Sequence, residues 1–504
     1  MLLVALAPLL LLCNPVGAQQ RLADLIQNGE RSAALEQIRA GADVNATQGD
    51  GTTPLHWAVY KVDGELVDTL LERGAVATAA NKYGSTPLAE AVKLADAGIV
   101  KKLLDAGADA EAPNADGQTA LMLAARAGAL DVAKLLIEHG ANVNATEAWR
   151  GQTALMWAVD GNYPELAQLL LERGADVHAR ADANEWRTQI TSEPRGQYRP
   201  RGGLTALLYA ARSGCTRCIR ALLEAGADID QPNPDGVTPL MVALDNFHFD
   251  TARVLLDAGA NPHRWDWWGR TPLYVAVDMN SYARRPQPAS ATSETSGTDI
   301  IRLLLQAGVN PNSQLNMHRP GRGGNSSRFV DDLLTTGATP LLRAAIGHDV
   351  AAVKLLLEHG ALVDLPNVMG VTPLVGAAGM GISQRDRRLD LDGDVQTRVV
   401  ATLELLLAAG ADVNARVTDI ESRSARIARI STMTDRLGQT ALFGAAKFGW
   451  VRVVELLLAH GADANAKDAL GKTPLDAAQG RIGGRDNVVS AEIAELLQVK
   501  IGAG

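Results

Sequence analysis

The chain has 504 residues, 47% of them hydrophobic, enough to bury a large core. A formal charge of −9 argues against a general nucleic-acid binder. No stretch beyond the N-terminus is apolar for long enough to cross a membrane.

Residues 2–12 are almost wholly apolar, Asn14 and Pro15 break the run, and Val16-Gly17-Ala18 places small residues before Gln19. This reads as a secretory signal peptide over residues 1–18, cleaved after Ala18, although no Lys or Arg precedes the apolar run. The other reading is an uncleaved N-terminal anchor. Export to a periplasm or to the outside of the cell is expected. Cys13 follows Leu12, which is too large for the usual lipobox. The next residues, 21–47, close with Gly41-Ala42-Asp43-Val44-Asn45 but lack the opening that later segments share.

That opening is Thr-Pro/Ala-Leu, at Thr53, Thr86, Thr119 and eight further positions to Thr473. A closing glycine answers it at Gly74, Gly107, Gly140 and onward to Gly461, and the early intervals are 33 residues. Residues 117–145 show one copy whole. Asn114-Ala115-Asp116-Gly117 is turn chemistry. Thr119 suits an N-cap, and a proline follows the threonine in many copies, as at the first helical position. A short helix over 121–126 is expected. Val132, Leu135 and Leu136 then mark a second helix, which Gly140 stops. His139, His359 and His460 precede closing glycines and are expected to meet the last helical carbonyls. Period and wording resemble the ankyrin repeat. The resemblance covers about residues 21–497 and implies an all-α solenoid of paired short helices with finger turns. It further implies a curved stack whose inner helices and fingers grip a folded protein. Residues 21–47 become an N-terminal cap, a helix over 491–497 belongs to a C-terminal cap, and the units number twelve.

Residues 19–179 are regular units, and residues 180–504 carry long insertions. From closing Gly to next Thr the usual 12 residues become 31 at Gly174–Thr205, 31 at Gly308–Thr339 and 30 at Gly410–Thr440. These finger insertions span 180–203, 313–337 and 416–437. Thr to closing Gly, usually 21, becomes 37 at Thr271–Gly308 and 38 at Thr372–Gly410, between the helices of one unit. The finger insertions together hold thirteen Arg, no Lys and eight Asp or Glu. Arg favours planar and stacked contacts at interfaces, whereas charged loops also serve simply as solvated surface. Residues 282–298, with Arg284-Arg285-Pro286-Gln287-Pro288, read as disordered.

Tryptophan placement is more selective. Trp57 and Trp157 fall at a core position, and Trp450 opens a second helix. Trp149, Trp186, Trp265, Trp267 and Trp268 fall in turns or insertions, with Trp267 and Trp268 at a finger tip. Exposed Trp beside Arg is hot-spot chemistry, and burial under an insertion is the competing reading. The expected partner-binding residues are therefore Trp149, Trp186, Arg187, Arg195, Tyr198, Arg199, Trp267, Trp268, Arg328, Arg423 and Arg426. Cys215 and Cys218, three apart at the start of a helix, are expected to form a local disulfide; a redox role is the alternative. Asp390-Leu391-Asp392-Gly393-Asp394 fails the EF-hand pattern at its sixth and twelfth positions. No catalytic constellation, cofactor motif or metal motif emerges. The expected function is non-enzymatic binding of a protein partner, with the inserted units as the main site and the clean early units as scaffold. The alternative is a ligand-binding or enzymatic site for an anionic glycan or small molecule, built by the insertions.

Overall fold

The computed structural model describes residues 21–184, 201–281, 294–316, 333–334, 336–380, 395–418, 436–482 and 488–502. The signal segment and Asp390–Asp394 lie outside them. Five helix pairs come first: α1 Leu22–Asn28 and α2 Arg31–Arg39, α3 Pro54–Tyr60 and α4 Gly64–Glu72, α5 Pro87–Lys93 and α6 Ala97–Asp105, α7 Ala120–Ala127 and α8 Leu130–Glu138, α9 Ala154–Asp160 and α10 Pro164–Glu172. A short antiparallel ladder follows, β1 Ala183–Asn184 with β2 Arg201–Gly202. The next four pairs are α11 Ala206–Ser213 and α12 Thr216–Glu224, α13 Pro239–Asp245 and α14 Phe249–Asp257, α15 Pro272–Ser281 and α16 Gly297–Gln306, α17 Pro340–Ile346 and α18 Val350–Glu358. The last three are α19 Pro373–Ala377 and α20 Val395–Ala408, α21 Ala441–Phe448 and α22 Val451–Ala459, α23 Pro474–Ala478 and α24 Ala491–Gly502. The fold is all-α as expected, apart from the two-residue ladder.

The chain forms two compact units. One holds the described residues up to Gly161 with Gln168–Ala175; the other holds Asn162–Ala167 with the described residues from Asp176 onward. In the first unit α1, α3, α5, α7 and α9 pack in series, and α4, α6 and α8 make a second row. In the second unit the odd-numbered helices from α11 to α23 pack in series, and so do the even-numbered ones from α12 to α24. Two short helices cannot hide their apolar faces alone, and this serial packing supplies the missing cover. Leu70, Leu103 and Leu136 of the first unit, and Leu222, Leu255, Leu304, Leu356, Leu406 and Leu457 of the second, are fully buried. Each stands four residues before a closing glycine, so one sequence position builds the core repeatedly. Burying one leucine stabilises by about 1.5–3 kcal/mol.

Local chemistry sets the helix ends. Thr53, Thr86, Thr119 and their equivalents accept from the backbone N–H three residues on. Thr440 is an exception, with no such side-chain bond. The histidines before closing glycines behave as expected: Nδ1 lies 2.8 Å from Leu135 O in His139, 2.8 Å from Leu355 O in His359 and 2.9 Å from Leu456 O in His460. His56 differs, being buried in the cap of α3. Its Nδ1 lies 3.2 Å from Thr53 N and its Nε2 3.0 Å from Ser85 O, and burial pushes the imidazole below its ordinary value.

The turn between the two helices of a unit requires a positive φ. Glycine supplies it at Gly128, Gly214 and Gly449, but Val62, Ala95, Asn162, Phe247 and His348 adopt it elsewhere, Val62 with φ 55°. A β-branched residue is least suited to that region. Val62 is half exposed, so little packing compensates. Val62→Gly is therefore expected to stabilise the first unit by about 1 kcal/mol, the cost of the left-handed conformation for a residue with a Cβ. Urea unfolding of the two proteins checks this; an unchanged or lower midpoint would contradict it.

The insertion between α15 and α16 is tied at both ends. Asn280 donates to Asp349 Oδ2 at 2.6 Å and Ser281 to the same oxygen at 3.3 Å, while Glu294 and Thr295 donate their backbone N–H groups to Asp250 at 3.1 and 2.8 Å. The expectation of disorder over 282–298 needs correction at its far end. Ser296 and Asp299 form a capping box, and Gly297 and Thr298 already belong to α16. Residues 282–293 lie outside the described part.

Candidate functional site

A shared staple shapes most fingers. The Asx side chain at the start of the turn accepts backbone N–H groups two and four residues on. Asn81, Asn114, Asn233, Asn367 and Asp468 all do this. The finger at 147–152 is one residue longer, and there buried Glu147, one carbon longer than Asp, accepts from Trp149, Arg150 and Gln152 at 2.6, 2.8 and 3.2 Å. Its tip leaves Trp149 69% exposed.

The finger of Trp267 and Trp268 uses the same staple and reinforces it. Asp266 Oδ1 accepts from Trp268 N at 3.0 Å and Arg270 N at 2.9 Å. Asp266 Oδ2 accepts from Arg270 Nε at 2.6 Å, and the two terminal nitrogens of Arg270 reach Asp245 Oδ1 and Oδ2 at 3.0 and 3.1 Å. Arg270 and Asp266 are buried. Burial alone would lower the Arg270 guanidinium, but Asp245 and Asp266 outweigh it and hold it above its ordinary value. Burial holds the Asp266 carboxyl above its ordinary value against the pull of Arg270. The finger tip also bonds to both neighbours, Trp267 N to Asp235 O at 2.9 Å and Asn316 N to Trp268 O at 2.9 Å. Gly269 turns the chain with φ 79°, and a Cβ there would meet Asn316 N at 2.7 Å. Trp265 and Trp267 are exposed, and the ring of half-buried Trp268 lies under Arg270 at 5.5 Å.

The three finger insertions leave the stack through equivalent stems. Ala181 N donates to Leu204 O, Leu315 N to Ala338 O and Val417 N to Gln439 O, each at 3.0 Å. The residue at the foot of each stem then fastens it to the following finger: Arg180 to Pro232 O at 3.2 Å, Gln314 to Pro366 O at 3.1 Å, and Arg416 to Lys467 O at 2.9 Å. Those carbonyls all precede the Asx staple of the next finger. Arg436, near the end of the third insertion, is buried and donates to Met380 O at 2.8 Å. Part of the arginine excess therefore fastens backbone.

Among the expected partner-binding residues the structure describes Trp149, Trp267 and Trp268. Trp186, Arg187, Arg195, Tyr198, Arg199, Arg328, Arg423 and Arg426 lie outside the described residues. Trp149 and the Trp267–Trp268 pair belong to different compact units. Trp57 and Trp157, expected in the core, are only half-buried. Trp57 donates through Nε1 to Gln48 at 2.8 Å, and Trp157 to Gln152 at 3.2 Å with Arg126 over its ring at 5.7 Å. Aliphatic side chains fill the serial core, and the first helices turn these indoles aside. Trp450 caps α22 and is buried, stacked on Phe448 at 5.2 Å.

Cys215 and Cys218 are buried at the start of α12, with sulfurs 1.96 Å apart and Cα atoms 5.2 Å apart. Burial keeps both sulfurs from an attacking thiol, which favours a staple over a redox centre. Among the described residues no cluster of His, Cys, Asp and Glu is arranged to hold a metal, and no helix is long and apolar enough to cross a membrane.

A family model of ankyrin repeats matches residues 22–114, 91–181, 189–266, 207–285 and 400–497, and a single-repeat model matches 268–316 and 336–368. The human neurogenic locus notch homolog protein 1 is 34% identical over 146 residues, covering 28% of this chain and 5% of that protein. The E3 ubiquitin-protein ligase KEG of Arabidopsis thaliana is 26% identical over 302 residues, covering 55% of this chain and 16% of that protein. The match thus spans a small part of either relative's length. The crystal structure of the human ASB11 ankyrin repeat domain is 24% identical with a TM-score of 0.39, covering 48% of this chain and 98% of that one.

Proposed function

The chain belongs to the ankyrin-repeat family, and on that footing we propose that it is a non-enzymatic scaffold that binds a protein partner outside the cytoplasm. Ankyrin repeats generally mediate protein–protein interaction, which supports the coarse reading. The finer one places the main site on the fingers of the second unit. One observation carries it: a finger tip with exposed indoles at Trp265 and Trp267 stands on the buried Arg270–Asp266 pair, which half-buried Asp245 completes. Rigid aromatic anchors lose little entropy on binding and dominate interface energies. The arginine-rich insertions rise from stems on the same series of fingers, and Trp186, Arg187, Arg328 and Arg423 belong to this reading. Export rests on the apolar segment before Gln19 and on the cysteine pair, which suits an oxidising compartment.

The test is capture from the extracytoplasmic fraction of the source cells, with wild type beside Trp267→Ala/Trp268→Ala. The double variant is expected to keep its helical circular-dichroism signal and to bind the captured protein roughly 100-fold more weakly, as loss of a hot spot does. Equal capture by both proteins would remove the site from this finger. The chain recovered from that fraction is expected to begin at Gln19; recovery only from the cytoplasm, with Met1 retained, would overturn export.

A further inference from the structure

We propose that the first compact unit carries a binding face of its own, and that its occupant is an acidic polypeptide segment bearing apolar side chains. This goes beyond the site on the second unit and beyond the expectation that the clean early repeats are mostly scaffold.

The first argument is where the aromatic residues are. The described part of the unit contains Trp57, Tyr60, Tyr83, Trp149 and Trp157, and none is in the core. Tyr60, Tyr83 and Trp149 are 56%, 70% and 69% exposed. The core is instead Leu, Ala, Val, Ile and Met. Aromatics are the residues a core gains most from burying, so their complete exclusion needs a reason. All five lie on first helices or finger tips.

The second argument is charge. Each exposed aromatic has a basic neighbour: Lys61 follows Tyr60, Lys82 precedes Tyr83, and Arg150 follows Trp149. Half-buried Trp157 has Arg126 over its ring at 5.7 Å, and Lys61 Nζ lies 6.0 Å from the Tyr60 ring. These four cations are exposed and join no ion pair among the described residues. Most of the unit's other cations are placed differently. Arg31, Lys101, Lys102 and Lys134 on second helices are paired with Asp63 and Glu65, Asp105, Asp68 and Asp131. Lys93 is paired with Glu90, and Arg39 and Arg73 close helices, where a cation suits the carbonyl end. The surface is thus divided in part: most cations of the second helices are neutralised, while Tyr60, Tyr83, Trp149 and Trp157 on first helices and fingers stand beside cations that join no ion pair among the described residues, and the remaining finger tips carry Asp50 and Asp116. Apolar side chains fit the rings, and carboxylates complete the cations. The pairs are spread over several repeats, at Tyr60, Tyr83, Trp149 and Trp157, which suits a linear segment.

The experiment pans a phage-displayed random peptide library over the immobilised full chain. The expected result is enrichment of sequences combining Asp or Glu with Leu, Phe or Trp. A synthetic peptide from that set should bind wild type and Trp267→Ala/Trp268→Ala alike, and should weaken as salt is raised. It should bind Lys82→Ala/Tyr83→Ala/Trp149→Ala/Arg150→Ala roughly tenfold or more weakly. If the fourfold variant loses its helical signal, Lys82→Glu/Arg150→Glu, which keeps both aromatics, gives the same reading. Enrichment without acidic residues, or equal binding to these variants, would overturn the proposal. So would loss of binding in the Trp267 and Trp268 variant alone, which would move the peptide to the other site. Polygalacturonate binding lost in the fourfold variant, with no peptide enriched, would assign the cations to an anionic polymer and overturn it as well.

Discussion

Arg270→Ala is expected to remove about 3–5 kcal/mol of local stability, the cost of leaving one partner of a buried ion pair uncompensated. Asp266 is the group left behind. It is 2% exposed, and its Oδ2 has Arg270 Nε as its donor at 2.6 Å. Asp245 is better placed, since its side chain is 27% exposed and water can replace the lost guanidinium. A repeat array does not unfold in two states, so the readout is hydrogen exchange at the Trp268 and Arg270 amides, which Asp266 holds. Their exchange should quicken by roughly two to three and a half orders of magnitude, the factor that corresponds to 3–5 kcal/mol. The chain contains its own control. At equivalent finger positions it uses Asn233 with Val237 and Asn367 with Val371, uncharged pairs built on the same staple. Asp266→Asn/Arg270→Val copies that solution and is expected to cost on the order of 1 kcal/mol, because the oxygen that accepts both amides is kept while the stranded charge is not. If the single and double variants exchange alike, the network is ornamental and the backbone turn alone holds the finger.

Gly444→Ala should be the most damaging replacement of a glycine by alanine inside a helix among the described residues. In an exposed helix this change stabilises by about 1 kcal/mol. In α21 the new Cβ would sit 2.6 Å from Ala378 O and 3.2 Å from both Ala378 C and Met380 N. All three are backbone atoms and cannot swing aside. The turn they belong to is itself confined, since Gly379 has φ 101° and a Cβ on it would meet Phe448 at 2.6 Å. Overpacking of this kind costs about 1–3 kcal/mol, and more where the neighbour cannot move, so the sign is destabilising. Trp450, stacked on Phe448 and close to Gly379, should report it by a red-shifted fluorescence as it gains contact with water. Gly376→Ala is the comparison. Its Cβ would meet only Ile346 Cγ1 and Leu342 Cδ1 at 3.0 Å, side-chain atoms that can shift. Equal effects from the two changes would show that helix propensity, not backbone approach, governs both sites.

The parts of this fold that were legible in the sequence are those set by local backbone rules. A threonine cap, a proline in the first turn and a glycine beyond the last act within four residues, so Thr119, Pro54 and Gly140 announce helix ends unaided. Landmark spacing likewise located the insertions. Partnerships across units were not legible. Arg270 and Asp245 are 25 residues apart, and Arg436 reaches Met380 across 56. Helical periodicity says which residues share a face, but a first helix here has a solvent side as well as packed sides. That is why Trp57 and Trp157 read as core and stand half-buried. The buried charge at Arg343, which meets Asp278 at 2.5 Å, was likewise hidden, since its sequence position matches that of the indoles.

The insertion stems have a consequence for how such a protein can change. Each is closed at its foot, at the first residues of the insertion, by paired backbone and by one side chain fastened to the next finger. Doubling the length of a loop closed in this way adds only about 0.6 kcal/mol of closure entropy. The residues above a stem are therefore a cassette. They can be lengthened, shortened or exchanged for foreign sequence while the register of the repeats below is kept. Selection can then revise what the molecule recognises without renegotiating how it folds, and a laboratory can graft a new loop between Asp182 and Gly203 on the same terms.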